Sequence, residues 1–442
     1  MNTRRLPGAA LLVAVLAWGA CTPSEQTAAT ASEGSPSAAA MDADCDPGNA
    51  GITLPDGFCA ALVTDDVPGA RHLQVAANGD IFVAVNNVRR GRNEPVIPGG
   101  VVVLRDTNGD GRADTREKWG VNGGNDVLLA DGYVYHAPND AVLRYPFTAG
   151  AMTPSGPPDT IVSGLPDTQN HTAKSIALGD DGSLYVNIGS PSNACQEQTR
   201  TEGSPGQDPC PQLATRAGIW RFDAARLGQT ESDGVRFATG LRNTVALRMH
   251  PGTGVLYGVM HGRDQLHDLW PDLFTVEQSA EKPAEEFVRL NEGDDYGWPY
   301  CYFDPETNQN VLAPEYGGDG HQVGRCVDKD EPIIGFPGHW APDDLEFYTG
   351  TQFPERYRGG AFIAFHGSWN RAPLPQEGYN VVFVPAAGDG FSTDWEVFAD
   401  NFRTDDPDTS ARPVGLAMGP DGSLYVSDSQ HGRIWKIMYK GM

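Results

Sequence analysis

Across 442 residues there is no Cys-x-x-Cys and no Cys-x-x-Cys-His. Zinc ribbons and covalently attached c-type haem are thereby excluded, because both need paired thiolates at that spacing. Basic charge is scarce: 32 Lys and Arg stand against 58 Asp and Glu, a formal net charge of −26. That balance excludes a nucleic-acid partner, since phosphate backbones reward clustered cations. Docking on anionic lipid is excluded for the same reason. Helical periodicity is almost absent, so the fold has to be built from strands. No segment reads as membrane-spanning: the apolar run Ala9–Ala20 is shorter than the about 20 residues a spanning helix needs.

That run has a different meaning. Arg4 and Arg5 precede it and Cys21 follows its closing Gly19-Ala20, the form of an export signal. The expectation is a signal peptide over 1–20 and a lipid on Cys21, giving an exported, periplasmic or cell-envelope lipoprotein that meets the membrane only through this anchor. Trp18 stands where the usual lipoprotein pattern has an aliphatic residue, so a secreted form cut elsewhere is the alternative. Residues 21–44 are rich in Ser, Thr, Ala, Glu and Pro and carry no aromatic. Such a stretch cannot bury enough apolar surface to offset its ordering entropy, and it reads as a tether. Residues 45–442 then form the folded part. With Cys21 set aside, the other cysteines stand near one another in sequence: Cys45 with Cys59, Cys195 with Cys210, Cys301 with Cys326. An oxidising compartment suits disulfide staples. Several connectivities are open, and proximity favours the local one. The acidity itself reads as a solvated surface, and it also suits calcium, a hard cation that takes oxygen ligands.

A recurring phrase organises the folded part: an apolar stretch, a turn with glycine, then an alternating strand. It occurs at 73–85 (LQVAANGDIFVAV), 127–137, 176–189, 246–260, in degenerate form at 345–365, and at 415–428 (GLAMGPDGSLYVSD). Asn-Gly and Asp-Gly between alternating apolar runs are the strongest short hairpin signal. Six copies predict an all-β chain, a six-bladed β-propeller of four-stranded antiparallel blades. A pair of β-sandwiches is the competing architecture.

One local motif stands out. Residues 106–117 read DTNGDGRADTRE, which places Asp106, Asn108, Asp110, the Arg112 carbonyl, Asp114 and Glu117 at the ligand positions of a calcium loop, with Gly111 at its sharp turn. Strand-like flanks exclude a helix–loop–helix. The reading is a structural calcium site, or else an acidic hairpin turn with no ion.

Other polar residues share one register, just ahead of the repeat phrases: Asn125 and Asp126, His171 and Lys174, Arg242 and Asn243, and Arg412. In a propeller these positions converge at one mouth of the channel. Arginine offers a planar fork that matches carboxylates, and histidine is the natural general base near neutral pH. Each alone is an ordinary hydrogen-bonded rim residue; the shared register is what points to an anionic, oxygen-rich ligand.

Longer phrases carry a resemblance: GLRNTVALRMHPGTGVLYGV at 240–259, HGRDQL at 261–266, EGDDYGWPYCYF at 292–303, the stretch 341–371 ending FHGSWNR, and ARPVGLAMGPDGSLYVSD at 411–428. Over about 50–440 the sequence resembles the quinoprotein sugar dehydrogenases of the sorbosone and soluble glucose dehydrogenase type. The resemblance implies pyrroloquinoline quinone and Ca2+ as cofactors, and oxidation of an aldose-type sugar by hydride transfer from its anomeric carbon. It implies His171 as general base, Arg242 and Asn243 beside the quinone, and the backbone carbonyls of Gly262 and Arg263 on the cofactor calcium. It further implies Arg412 on the cofactor, with Asn125 from the shared register. Val414 stands where the glucose-specific branch has a second basic residue, and that branch's cofactor lysine has no clear match; Arg371 is the substitute. Both departures favour the sorbosone-like or general aldose branch. With no haem motif, electrons are expected to leave for an external acceptor, a cytochrome or a quinone pool. The rival readings are a calcium-dependent, lactonase-like hydrolase and a non-catalytic binding propeller.

Overall fold

The computed structural model describes residues 44–89, 94–120, 122–167, 170–405 and 410–441. The expected signal peptide, Cys21 and all of the expected tether but Asp44 lie outside the described residues. Among the described residues no helix is long and apolar enough to cross a membrane.

The strands form six four-stranded antiparallel blades, one of them extended by a short fifth strand. Blade one is Ala70–Val75, Ile81–Val85, Gly100–Arg105 and Thr115–Trp119. Blade two starts at Gly124–Ala130, blade three at Ile176–Leu178, blade four at Ala246–Met249 and blade five at Pro342–Phe347. Blade six joins the chain's two ends. Its first three strands are Pro413–Met418, Leu424–Asp428 and Ile434–Tyr439, and its outer strand is Phe58–Thr64. Pairing the first strand to the last closes the ring and removes a free edge.

Every repeat phrase is the inner hairpin of a blade. The turns need a left-handed residue, and glycine takes it: Gly182 and Gly422 both sit at φ 82°. The second strand of each hairpin reads as a short apolar run because its sheet is covered on both faces by neighbouring blades. Ile81–Val85, Leu256–Met260 and Ala361–Phe365 are buried at every position. Aromatic rings fill the wedge between blades five and six, where Phe58 meets Phe353, Tyr357 and Phe398 edge-on at 4.8, 5.3 and 5.1 Å.

Side chains stitch the inner strands around the channel. Asn125 Nδ2 donates to Ser175 Oγ, which donates to Val245 O; Arg248 Nε donates to Leu345 O; Leu416 N donates to Asp344 Oδ2; and Ser427 Oγ donates to Arg71 O. The insertions are tied down covalently. The three disulfides are the local ones, Cys45–Cys59, Cys195–Cys210 and Cys301–Cys326.

Candidate functional site

His171 precedes the first strand of blade three, with φ 50°. Its Nδ1 lies 2.7 Å from Ser190 O. A carbonyl can only accept, so Nδ1 carries the proton and Nε2 keeps its lone pair. Nε2 has no hydrogen-bond partner among the described residues. Burial, reinforced by the nearby Arg242 cation, pushes the imidazole down to about 3. The ring is therefore neutral, held, and open for proton transfer at one known atom.

Ser190 links this base to the next blade, because its N–H donates to Arg242 O at 2.8 Å. The end of blade three's second strand can come this close only because residue 189 is glycine. A Cβ there would lie 2.5 Å from His171 Cβ and 2.9 Å from Asn243 Oδ1. His171, Arg242 and Asn243 thus form one group, as the register implied.

Arg242 is buried, 3% exposed. Nη1 donates to Gly262 O at 2.6 Å, and Nη2 donates to Asn193 Oδ1 at 3.1 Å and Asp264 Oδ2 at 2.7 Å. Asp264 is a hub. It also accepts from Arg200 Nη2 at 2.8 Å and from Asn370 Nδ2 at 2.9 Å. Insertions from blades three, four and five meet on this one carboxylate. Burial opposes its charge, but Arg242, His339 and Arg200 hold it well below the usual carboxylate range.

The two expected calcium carbonyls follow directly. Gly262 O already accepts from Arg242 and retains a second lone pair. The Arg263 guanidinium is held in a buried pair with Glu315.

Across the mouth stand Arg71, Asp343, His261, His366 and Arg412. Arg71 Nε donates to Asn125 Oδ1 at 2.8 Å, and its Nη2 lies 3.3 Å from Asp343 Oδ2. His261 Nε2 lies 2.8 Å from Pro342 O and 3.4 Å from Asp343 Oδ1. Arg412 Nε donates to His366 O at 3.1 Å, its Nη2 donates to Gly367 O, and it lies 5.5 Å over the Tyr379 ring. Nη1 of Arg71 and Nη1 of Arg412 have no hydrogen-bond partner among the described residues.

Two expected cofactor contacts are not delivered to this group. Asn125 is buried, its amide divided among Arg71, His72 and Ser175. It fixes Arg71 rather than facing a ligand. Arg371 is 3% exposed and fully engaged. It donates to the carbonyls of Ala280, Gly338 and Pro375 and pairs with Glu281 and Glu377. Lys174 is likewise internal, donating to Pro166 O and Thr172 O, and burial pushes it down to about 8. Arg71, Asp343 and Asp264 escaped the sequence reading. Arg71 and Asp343 stand just ahead of the phrases at 73–85 and 345–365, so the register that found Arg412 also marks them.

The 106–117 loop lies far from this mouth, on the outer edge of blade one. Asp106 accepts from the N–H groups of Asn108, Gly109 and Gly111 at 3.2, 2.7 and 2.7 Å. Asn108 Oδ1 and Asp110 Oδ1 accept from the amides of Asp110 and Arg112, Asp114 binds Thr107, and Glu117 is exposed on the outer strand. Among the described residues no group of three or more His, Cys, Asp or Glu side chains could hold a metal ion. The amide contacts alone make Asp106 structural. Asp106→Ala should cost about 1 kcal/mol of stability through the lost amide contacts. A thermal melt superimposable on that of the parent would show that the turn does not depend on it.

Fold and site together define a six-bladed propeller with a neutral imidazole set among guanidiniums at one mouth of its channel. The family model described as TrAA12-like matches residues 52–440, and the chain belongs to that family. It is 25% identical to a pyrroloquinoline quinone-dependent pyranose dehydrogenase of Coprinopsis cinerea, over 87% of this chain and 54% of that one. It is 24% identical to a pyrroloquinoline quinone-dependent sugar dehydrogenase of Hypocrea jecorina, over 89% of this chain and 92% of that one. The chain thus spans only about half the length of some of the curated relatives it matches. The holo pyranose dehydrogenase PQQ domain from Coprinopsis cinerea superposes with a TM-score of 0.68 at 20% identity, over 88% of this chain and 97% of that one. This likeness supports the six-bladed fold.

Proposed function

We propose that the protein oxidises aldose-type sugars with pyrroloquinoline quinone and calcium, His171 acting as general base. The observation that carries the reading is the His171 geometry: a neutral ring with Nδ1 on a carbonyl and Nε2 unbonded, beside a buried arginine. The residues present fit the quinone. Arg71 and Arg412 each keep an unbonded N–H on a half-buried guanidinium, a donor set for carboxylates. Gly262 O is an oxygen that calcium accepts. When bound, the quinone supplies the hydride acceptor and calcium a Lewis acid beside it. The chain does the rest. His171 Nε2 takes the hydroxyl proton at the anomeric carbon. Arg242, fixed by Asp264 and Asn193, orients the reacting group from the wall of the site. Arg71 and Arg412 balance anionic charge from the opposite side.

Electrons pass to an external acceptor. Export and a lipid on Cys21 are part of the same proposal, supported by the sequence of residues 4–21 and by three disulfides, which suit an oxidising compartment. Protein supplied with the quinone and calcium is expected to bleach a dye acceptor when an aldose is added. No bleaching with any aldose overturns the proposal.

Gly189 offers a sharper test of the geometry. Gly189→Ala places a methyl against His171 and Asn243, and misplacing a base by about 1 Å costs roughly 100-fold in rate. Turnover should collapse, and the melting transition should fall as well, because the methyl also meets the His171 backbone carbonyl at 2.9 Å. Parent-like turnover would mean that the base is not held by this contact.

A further inference from the structure

Arg371 poses a question that the reaction does not answer. It is a buried cation spending its whole guanidinium on tying one surface loop, through Pro375 and Glu377, to Ala280, Glu281 and Gly338. The same loop is held at its start by Arg412, which donates to the carbonyls of His366 and Gly367, and by Ser429, which lies 2.7 Å from His366 Nε2. Between these anchors stand Trp369 and Asn370. Asn370 is part of the site wall, donating to Asp264, which binds Arg242. Its neighbour Trp369 is 67% exposed, the one aromatic among the exposed large hydrophobic side chains of the described residues. A rigid aromatic beside a polar wall binds at low entropic cost, because its loop is ordered before the ligand arrives.

We propose that Trp369 is the stacking platform for the pyranose ring of the substrate, with Arg371 as the anchor that holds it at the mouth. The apolar C–H face of a pyranose suits the indole face, and its hydroxyls suit the Arg242–Asp264–Asn370 wall. The proposal rests on the sugar-oxidising reading only for the identity of the ligand. Arg371 is a positioning residue in this account, not a cofactor ligand.

The test separates binding from turnover. Saturation-transfer NMR on quinone-free protein with cellobiose should show transfer to the ring C–H protons for the parent and for Trp369→Phe, and a loss for Trp369→Ala. With quinone and calcium present, Trp369→Ala should raise KM for the sugar by ~10-fold while kcat stays within ~2-fold, the pattern of lost uniform binding. Equal transfer in the parent and Trp369→Ala overturns the platform. So does a Trp369→Ala defect that appears only when the electron acceptor is varied, since that assigns the indole to acceptor docking. If the loaded parent oxidises no aldose but the transfer still depends on Trp369, the oxidation reading falls and the platform stands.

Discussion

His171→Gln is expected to slow reduction of the quinone by sugar by ~10²–10⁴-fold, the usual cost of losing a general base, while quinone affinity stays near that of the parent. The argument starts from one hydrogen bond. Ser190 O fixes the proton on Nδ1, which leaves Nε2 as the only basic atom of the ring. Glutamine fills similar space but offers no comparable base. The charges assigned to the quinone, those of Arg71 and Arg412, are untouched, and so is the Arg242 that shapes the wall. Stopped-flow reduction beside a quinone titration separates the two effects, and a His171→Gln enzyme that reduces at the parent rate would place the base elsewhere.

An acid titration gives an independent readout. The folded ring sits at about 3 against an ordinary 6.5, so below pH 6.5 the unfolded chain binds a proton that the folded one refuses. Native stability therefore falls as pH drops from 6.5 towards 3. Glutamine does not titrate, so the variant should lose less stability than the parent across that window. His366, pushed down to about 3 by burial, with Arg412 and Arg71 adding to the shift, acts the same way in both proteins and leaves their difference intact. Imidazole NMR should find His171 of the quinone-free parent neutral well below pH 6.5.

The blades were readable in the sequence because two local signals coincide in them. An Asn-Gly or Asp-Gly turn marks four of the six hairpins, and the largely buried second strand that follows is a short apolar run. Even the degenerate copy at 345–365 became an inner hairpin, Pro342–Phe347 with Ala361–Phe365. Blade six was harder to see, because its outer strand lies at the other end of the chain and no local pattern announces that pairing. The site divides along the same line. His171, Arg242 and Asn243 follow from register, a property of each blade. Asp264 does not, because it lies outside the register and its partners at 200, 242 and 370 come from three different blades. Arg371 shows the opposite failure. Its residue type suggested a ligand contact, but carbonyls from residues 280, 338 and 375 absorb it. Register says where a side chain starts; long-range packing decides whether it is still free when it gets there.

Arg242→Ala should be the most damaging single substitution in the site, and it should fail in a way His171→Gln does not. The guanidinium serves Gly262 O, Asn193 Oδ1 and Asp264 Oδ2 from a buried position. Removing it leaves a buried carboxylate with only part of its compensation, and breaking such a pair costs roughly 3–5 kcal/mol. Quinone affinity should fall along with turnover, because Arg242 orders the carbonyl, the amide and the carboxylate that shape the wall. Asp264 gives the loss a pH signature. Burial raises its carboxyl, but Arg242 is the strongest influence holding it low, so the pair stabilises the fold above pH 3.8 and its contribution is lost as pH falls below that value. The stability gap between parent and Arg242→Ala should therefore be widest at neutral pH and narrow in acid. Arg242→Lys keeps the charge but not the fork, and one ammonium cannot reproduce the planar geometry that reaches all three acceptors. It should fold better than the alanine variant and still bind the quinone poorly. If Arg242→Lys instead binds quinone like the parent, charge alone is what the site requires, and the planar clamp on Gly262, Asn193 and Asp264 is not what orders the wall.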